Sequence, residues 1–438
     1  MLCDQKKPEQ SAVPATNLAY RSEWTCGKGR DMDELPIGRR VAYWRGRRKM
    51  SQQVFADRLG KSKSWVDKVE RGVRRLDKFS VIYEIADTLR VDVQLLLGKD
   101  PERRSDALNC IDQTEVQEIR AALERYDAMS AYFDAAPYPP PLPDMRKAVT
   151  HAWLTYQYGR YGMLTRSLPK LLRDAQAADA GFGGDDNREA AHLLGQVYQI
   201  ASSVLRKLGE CDLAWLAADR AMAVAQRADD PLLAGIATAR VGNALVAMGR
   251  PFPALEVNVA IANRLAPGGD NDATPDRLSV YGMLLLQGAM AASRIGDTAT
   301  VDDLLGGADE AATLLGGDQN HYWTSFGPTN VELHRAAAAV ELGDGGRAVE
   351  VHQRIGPEFN ALLPERRAHH LLDIARGYAQ VGDVVNAGEM LLQGDRLAPS
   401  EIRCRPIAHE VMSDILRRTR GTPSASIAEL AEHMGVGI

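Results

Sequence analysis

Six glycines, each followed by a polar or charged residue, punctuate the second half of the chain at Gly159, Gly209, Gly249, Gly296, Gly343 and Gly382. Successive members are 50, 40, 47, 47 and 39 residues apart. The segments that end on them, such as VYQIASSVLRKLGE, IATARVGNALVAMGR, LLQGAMAASRIGD and LLDIARGYAQVGD, are rich in Ala and Leu. Each reads as a helix closed by a left-handed cap, followed by a second helix. One helical hairpin cannot bury its own apolar face, so neighbours must stack into a solenoid. No alternating strand pattern interrupts the series. The expected fold is therefore all-α, with a helical-repeat domain over residues 145–420.

Five prolines (Pro137, Pro139, Pro140, Pro141 and Pro143) fall within seven residues just upstream. Proline at that density stiffens the chain and stops a helix. Residues 106–144 read as a linker, helical from about Gln113 to Phe133 through the spacing of Ile119, Leu123 and Tyr126 and Pro-rich afterwards. Residues 1–35 are polar and without pattern, and are expected to be a disordered tail. The closing segment, 421–438, contains SIAELAEHMGV and reads as a cap on the last repeat or a tail.

The remaining block, 36–105, is of a different kind. Ser51 is placed to cap a helix opening at Gln52, whose Phe55 and Leu59 form an apolar i, i+4 pair beside small Ala56. Gly60 sits where a tight turn needs a positive φ. Val66 and Val69 give a second helix its buried stripe, leaving Lys63, Ser64, Trp65, Asp67 and Lys68 outward. Charge sets the block apart as well. It holds 18 Lys and Arg against 9 Asp and Glu, while the whole chain stands at −5, so the rest carries about −14. A basic head on an acidic body suits binding to phosphate by the head alone.

Residues 37 to 98 resemble the five-helix DNA-binding domain of the phage-repressor (Cro/C1, XRE) family. IGRRVAYWRGRRKM matches its first helix, QQVFADRLGKSKSWVDKVE its helix–turn–helix, and LDKFSVIYEIADTLR and VDVQLLL its last two helices. The closing E-R-G stands as Glu70-Arg71-Gly72, whereas Lys61 replaces the apolar residue usual after the turn glycine. The resemblance implies Lys63, Ser64 and Lys68 as base-edge readers, with Trp65 against a thymine methyl or sugar. It places Gln52, Lys61, Ser62 and Arg71 near phosphates. The body resembles tetratricopeptide repeats, best in WLTYQYGRYGMLTRSLPKLL through Trp153, Gly159, Tyr161 and Leu168, although its period exceeds the usual 34 residues.

A repressor-type head on such a body is similar to a class of bacterial regulators that includes peptide-pheromone sensors and actinobacterial regulators. The Ala- and Arg-rich usage leans to the actinobacterial side. The resemblance implies a homodimer acting at a double-stranded DNA operator in the cytoplasm, at the nucleoid. Its solenoid would bind a peptide, small molecule or protein partner and shift operator affinity. An interaction scaffold with secondary DNA binding is the alternative. Polar residues on the first helices are the candidate ligand contacts: Arg240, Asn243, Gln287, Asn330, His334 and Arg376. Asn330 and His334 lie four apart behind the Gly327-Pro328 break, with Thr329 as the expected N-cap.

The motifs of common enzymes (P-loop, GxSxG, HExxH, dinucleotide fingerprint) are absent, and no cofactor or metal is implied. The five cysteines (Cys3, Cys26, Cys110, Cys211 and Cys404) are scattered without ligand spacing, which fits free thiols in a reducing compartment. No apolar run is long enough to span a membrane.

Overall fold

The computed structural model describes residues 37–74, 76, 79–89, 111, 113–124, 139–268 and 272–437. Every regular element among them is helical, and no helix of the described residues is long and apolar enough to cross a membrane. The chain divides into two compact units, Met1–Glu102 and Arg103–Ile438. The tail 1–35 and the expected fifth helix of the head lie outside the described residues.

In the first unit, α1 (Ile37–Arg47), α2 (Gln52–Arg58), α3 (Lys63–Glu70) and α4 (Phe79–Leu89) enclose one small core. Val41, Phe55, Ala56, Leu59, Val66, Ile82, Ile85 and Leu89 meet there. The local chemistry is that of the sequence pattern. Ser51 accepts from the Val54 N–H and Ser62 from the Trp65 N–H, so both α2 and α3 begin on side-chain caps. Gly60 turns between them at φ +59°. Gly38 allows α1 to lie against the end of α3, because a Cβ there would sit 2.0 Å from the Val69 carbonyl oxygen.

The second unit opens with α5 (Gln113–Glu124), then six antiparallel hairpins. These are α6 (Leu142–Gln157) with α7 (Tyr161–Gly181), α8 (Gly184–Lys207) with α9 (Cys211–Ala225), and α10 (Pro231–Ala247) with α11 (Pro251–Leu265). They continue with α12 (Pro275–Ile295) and α13 (Thr298–Leu315), α14 (Pro328–Glu341) and α15 (Gly345–Arg354), and α16 (Pro364–Gln380) and α17 (Val384–Leu397). All six turn glycines adopt positive φ, from 66° at Gly159 to 87° at Gly296. Four of the six first helices begin on proline, whose missing N–H costs nothing at that position. First helices α8, α10, α12, α14 and α16 pack on one another in order, and α16 also touches α6, so the array curls until its ends meet.

The segment read as a linker supplies α5, whose Val116, Ile119, Ala122 and Leu123 are buried in the first core cluster of the repeats. Periodicity shows which face of such a stripe is buried, not against what. Of the proline run, Pro139 lies against Gly181, and Pro143, exposed, falls in the first turn of α6. Beyond α17, α18 (Pro399–Arg403), α19 (Pro406–Arg418) and α20 (Ala425–His433) complete the unit. Ile427, Leu430 and Ala431 of α20 are buried in the last core cluster, with Ile427 against Gly388 of α17.

Candidate functional sites

The first site is the outer face of α3. Lys61, Ser62, Lys63, Ser64, Lys68 and Arg71 are all exposed, while Val66 and Val69 on the opposite side are buried. The 3.6-residue period makes that division. Three of the expected contacts have structural duties besides. Ser62 caps α3 with its hydroxyl. Gln52 donates its amide to Glu70 at 2.8 Å. Trp65 is half-buried against the core, with the Arg74 guanidinium 6.0 Å from its ring. Among the described residues Arg71 forms one surface pair, with Asp67 at 3.3 Å, which leaves it available to another anion.

Behind this face, Glu70 ties three helices together. It takes both Nε and Nη2 of Arg45 on α1, at 2.6 and 3.0 Å, as well as the Gln52 amide of α2. Arg45 also donates to the Met50 carbonyl oxygen at 2.6 Å. The hydrogen bond to Glu70 raises the Arg45 pKa against the cost of partial burial. A forked pair of this kind fixes the angle at which α3 is presented.

The second site is a cavity of about 250 Å³ within the curl of the repeat array. Five of the six residues expected to meet a ligand line it: Arg240 and Asn243 of α10, Gln287 of α12, His334 of α14 and Arg376 of α16. Each comes from a stripe at helical spacing on a first helix, such as Met283, Gln287, Met290 and Arg294 on α12. Asn330 does not reach it. Its side chain is fully buried among the helices, and neither amide atom finds a hydrogen-bond partner. Thr329 is not the N-cap of α14 either: Gly327 holds that place, and the Asp318 carboxylate accepts the Thr329 N–H.

His334 is a neutral imidazole. Its Nδ1 donates to the Asn330 carbonyl oxygen at 2.9 Å, leaving Nε2 to accept from the Gln287 amide at 3.4 Å. Burial, reinforced by the Arg366 guanidinium, pushes its pKa down to about 4. His370, which faces His352 at 3.0 Å, is pushed down to about 3 by burial. Arg376 is already occupied, with Glu341 at 2.8 Å and Asp373 at 3.2 Å.

Several charged residues at this site were not picked out from sequence. Arg206, Glu365, Arg366, His369, Asp373 and Arg405 also line the cavity. At its edge, the Lys207 ammonium is buried between Glu365 and Glu401, and Glu401 also holds Arg405 and the Tyr161 hydroxyl, each at 2.5 Å. Glu365, His369 and Glu401 have the atom types of a metal site. The ammonium of Lys207 fills the space between them, 3.2 Å from His369 Nδ1. The usable signal is the stripe Glu365, Arg366, His369, Asp373 and Arg376, which repeats at helical spacing with the buried Leu371 and Ile374 on the other face.

A strained loop borders the same region. Tyr322, Trp323 and Ser325 have φ of 48°, 59° and 51°. Trp323 stacks on Trp153 at 5.7 Å, and both indole N–H groups donate to Gln196 Oε1. Tyr322 donates to Asp230 at 2.9 Å. The loop between α13 and α14 is thus tied to α6, α8 and the start of α10, and these bonds hold its unfavourable backbone in place.

Residues 36–97 match the family described as a helix-turn-helix domain. No curated protein matches the chain. Among solved structures, Bacillus thuringiensis PlcR in complex with the peptide PapR7 and DNA is similar at 14% identity and a TM-score of 0.32, over 64% of this chain and 95% of that one.

Proposed function

We propose that this chain is a sequence-specific DNA-binding transcriptional regulator of the repressor type. In this reading α3 is its recognition helix, and the helical-repeat unit is the part that senses an effector. The observation that carries the reading is the division of α3. Lys63, Ser64 and Lys68 stand exposed on one side of a helix whose other side is buried, and the segment lies within the helix-turn-helix match. A helix of that width fits the major groove, where Lys donors reach guanine acceptors and Ser can serve either base type. Lys61 and Arg71 flank it as phosphate contacts. The chain would act as a homodimer on paired half-sites at the nucleoid, without chemistry of its own. An effector would act by binding one arrangement of the two units better than another.

The test is genome-wide recovery of DNA with the intact protein, repeated with Lys63→Ala plus Lys68→Ala. A discrete motif with two related half-sites that vanishes in the double variant is expected. Diffuse recovery indifferent to both substitutions would remove α3 from the role.

A further inference from the structure

Three guanidinium groups at the cavity of the repeat unit are not matched by carboxylates. Arg206 and Arg240 make no ion pair among the described residues, and Arg240 Nε is buried without a hydrogen bond. Arg366 comes only within 3.9 Å of Glu365, a carboxylate already bound by Lys207, and its own Nε is likewise buried and unpartnered. The other cations of the wall are spent: Arg376 and Arg294 on Glu341, and Arg405 on Glu401. Arg240 is held in position by the face of Trp153, 5.8 Å from its guanidinium carbon. Burial, and with it the neighbouring charges of Arg206 and Arg366, brings the Arg240 pKa down to about 10, with Tyr156 opposing. It is still a cation at neutral pH, kept among other cations at a cost that an incoming anion would relieve.

The same cavity has an apolar share of lining, from Val246, Met283, Met290, Leu333, Ala337 and Ile407. Asn243 and Gln287 also line the cavity; the Gln287 amide N–H is turned to His334 Nε2 at 3.4 Å, which leaves its carbonyl oxygen for a ligand. Methionines tolerate ligands of varied shape. At about 250 Å³ the cavity lies just below the range usual for drug-sized ligands.

We infer that this cavity binds a small organic anion with an apolar body, its acid group held by Arg240 and Arg366 and its body laid on Met283, Met290 and Leu333. The inference deepens the sensing role proposed above and rests on that reading only for the consequence at DNA. A guanidinium offers two parallel N–H donors to a carboxylate or a phosphate alike, so both headgroups belong to the class.

The test uses the full chain and calorimetric titration without DNA. The probes are octanoate, octyl phosphate, the uncharged octanamide, and inorganic phosphate. Octanoate or octyl phosphate is expected to bind, with octanamide and inorganic phosphate at least about tenfold weaker. Arg366→Gln and Arg240→Gln should each weaken the anions by about tenfold or more and leave the amide as it was. Arg366→Gln is the cleaner variant, because Arg240 also packs on Trp153, and a thermal melt of each variant shows that it has folded. Equal binding of octanoate and octanamide would overturn the proposal. So would anion binding unchanged in both variants, inorganic phosphate as tight as octyl phosphate, or no binding of any probe. If the anions bind and operator affinity does not move, the site stands and the sensing role fails. If DNA recovery fails while the titration succeeds, the recognition helix alone is at fault.

Discussion

The Lys207 ammonium lies 2.6 Å from the Glu401 carboxylate across 194 residues of chain. Glu365 completes the pair from the other side, and Tyr161 and Arg405 satisfy the remaining Glu401 lone pairs. The contact joins the second hairpin to the start of the sixth and to α18 beyond it, and so fixes how far the array curls. Its two cations and two carboxylates balance, which is the condition for burying them at all. Lys207→Met would leave two carboxylates buried with only the Arg405 guanidinium in hydrogen-bonding contact and Arg366 at 3.9 Å from Glu365. It is expected to cost about 3–5 kcal/mol in urea unfolding of the chain. A loss below 1 kcal/mol would show that the ends of the array are held elsewhere.

Close helix approach gives a second prediction. In α12, Gly282 receives the fully buried ring of Phe326, and a Cβ would lie 1.9 Å from its Cζ. Gly282→Ala should therefore destabilise by about 1–3 kcal/mol and loosen the loop that carries Trp323. Gly306 sits exposed inside α13 with no atom near its absent side chain. Gly306→Ala should stabilise by about 0.5–1 kcal/mol, since only helix propensity changes. Thermal melts of the two variants should move in opposite directions.

The buried imidazoles set a pH dependence. His334 and His370 are held at about 4 and about 3, below the ordinary 6.5, by burial. The folded state therefore prefers them neutral. Their contribution is complete above pH 6.5 and is lost as pH falls through the window toward 4. For His334 the loss is on the order of 3 kcal/mol by pH 4. Glu365 acts lower still, because Lys207, Arg366 and His369 outweigh the burial that would raise it and hold it well below 4.5. Denaturant midpoints between pH 7 and 4 should fall in wild type and fall less steeply in His334→Gln, in which His370 still titrates. A parallel fall in both would move the effect to another group.

The parts of this molecule that local physics controls were readable from its sequence. A helix that must reverse direction in two residues calls for a left-handed residue, and glycine supplies it at Gly159 through Gly382. Amphipathic spacing likewise separated Lys63 and Lys68 from Val66 and Val69. Polar residues on otherwise apolar first helices pointed to Arg240, Asn243, Gln287 and His334, because an inner stripe stays polar only where it meets a space. The same rule misplaced Asn330, since a four-residue step from His334 gives a shared face of α14 but not how deep along the helix the cavity extends. Nothing local in the sequence marks Lys207, Glu365 and Glu401 as buried. Their burial depends on the closure of the array, which no local window contains.

The outer face of α3 supports a prediction that separates its two kinds of contact. Lys61 and Arg71 stand at the ends of the exposed stripe, whereas Lys63, Ser64 and Lys68 occupy its centre. A residue that neutralises a phosphate contributes equally on every sequence and releases counterions. Its loss should lower affinity for all duplexes together and reduce the slope of log K against log salt by about 1. A residue reading a base edge contributes about 1–3 kcal/mol of discrimination at one position. Lys61→Ala and Arg71→Ala are therefore expected to weaken operator and random duplex alike, with a shallower salt dependence. Ser64→Ala, with no charge to lose, should keep the salt slope and relax preference at a single base pair. Lys63→Ala and Lys68→Ala should do both. Competition binding at several salt concentrations distinguishes these patterns, and a shallower slope in Ser64→Ala with unchanged preference would show that α3 does not enter the groove.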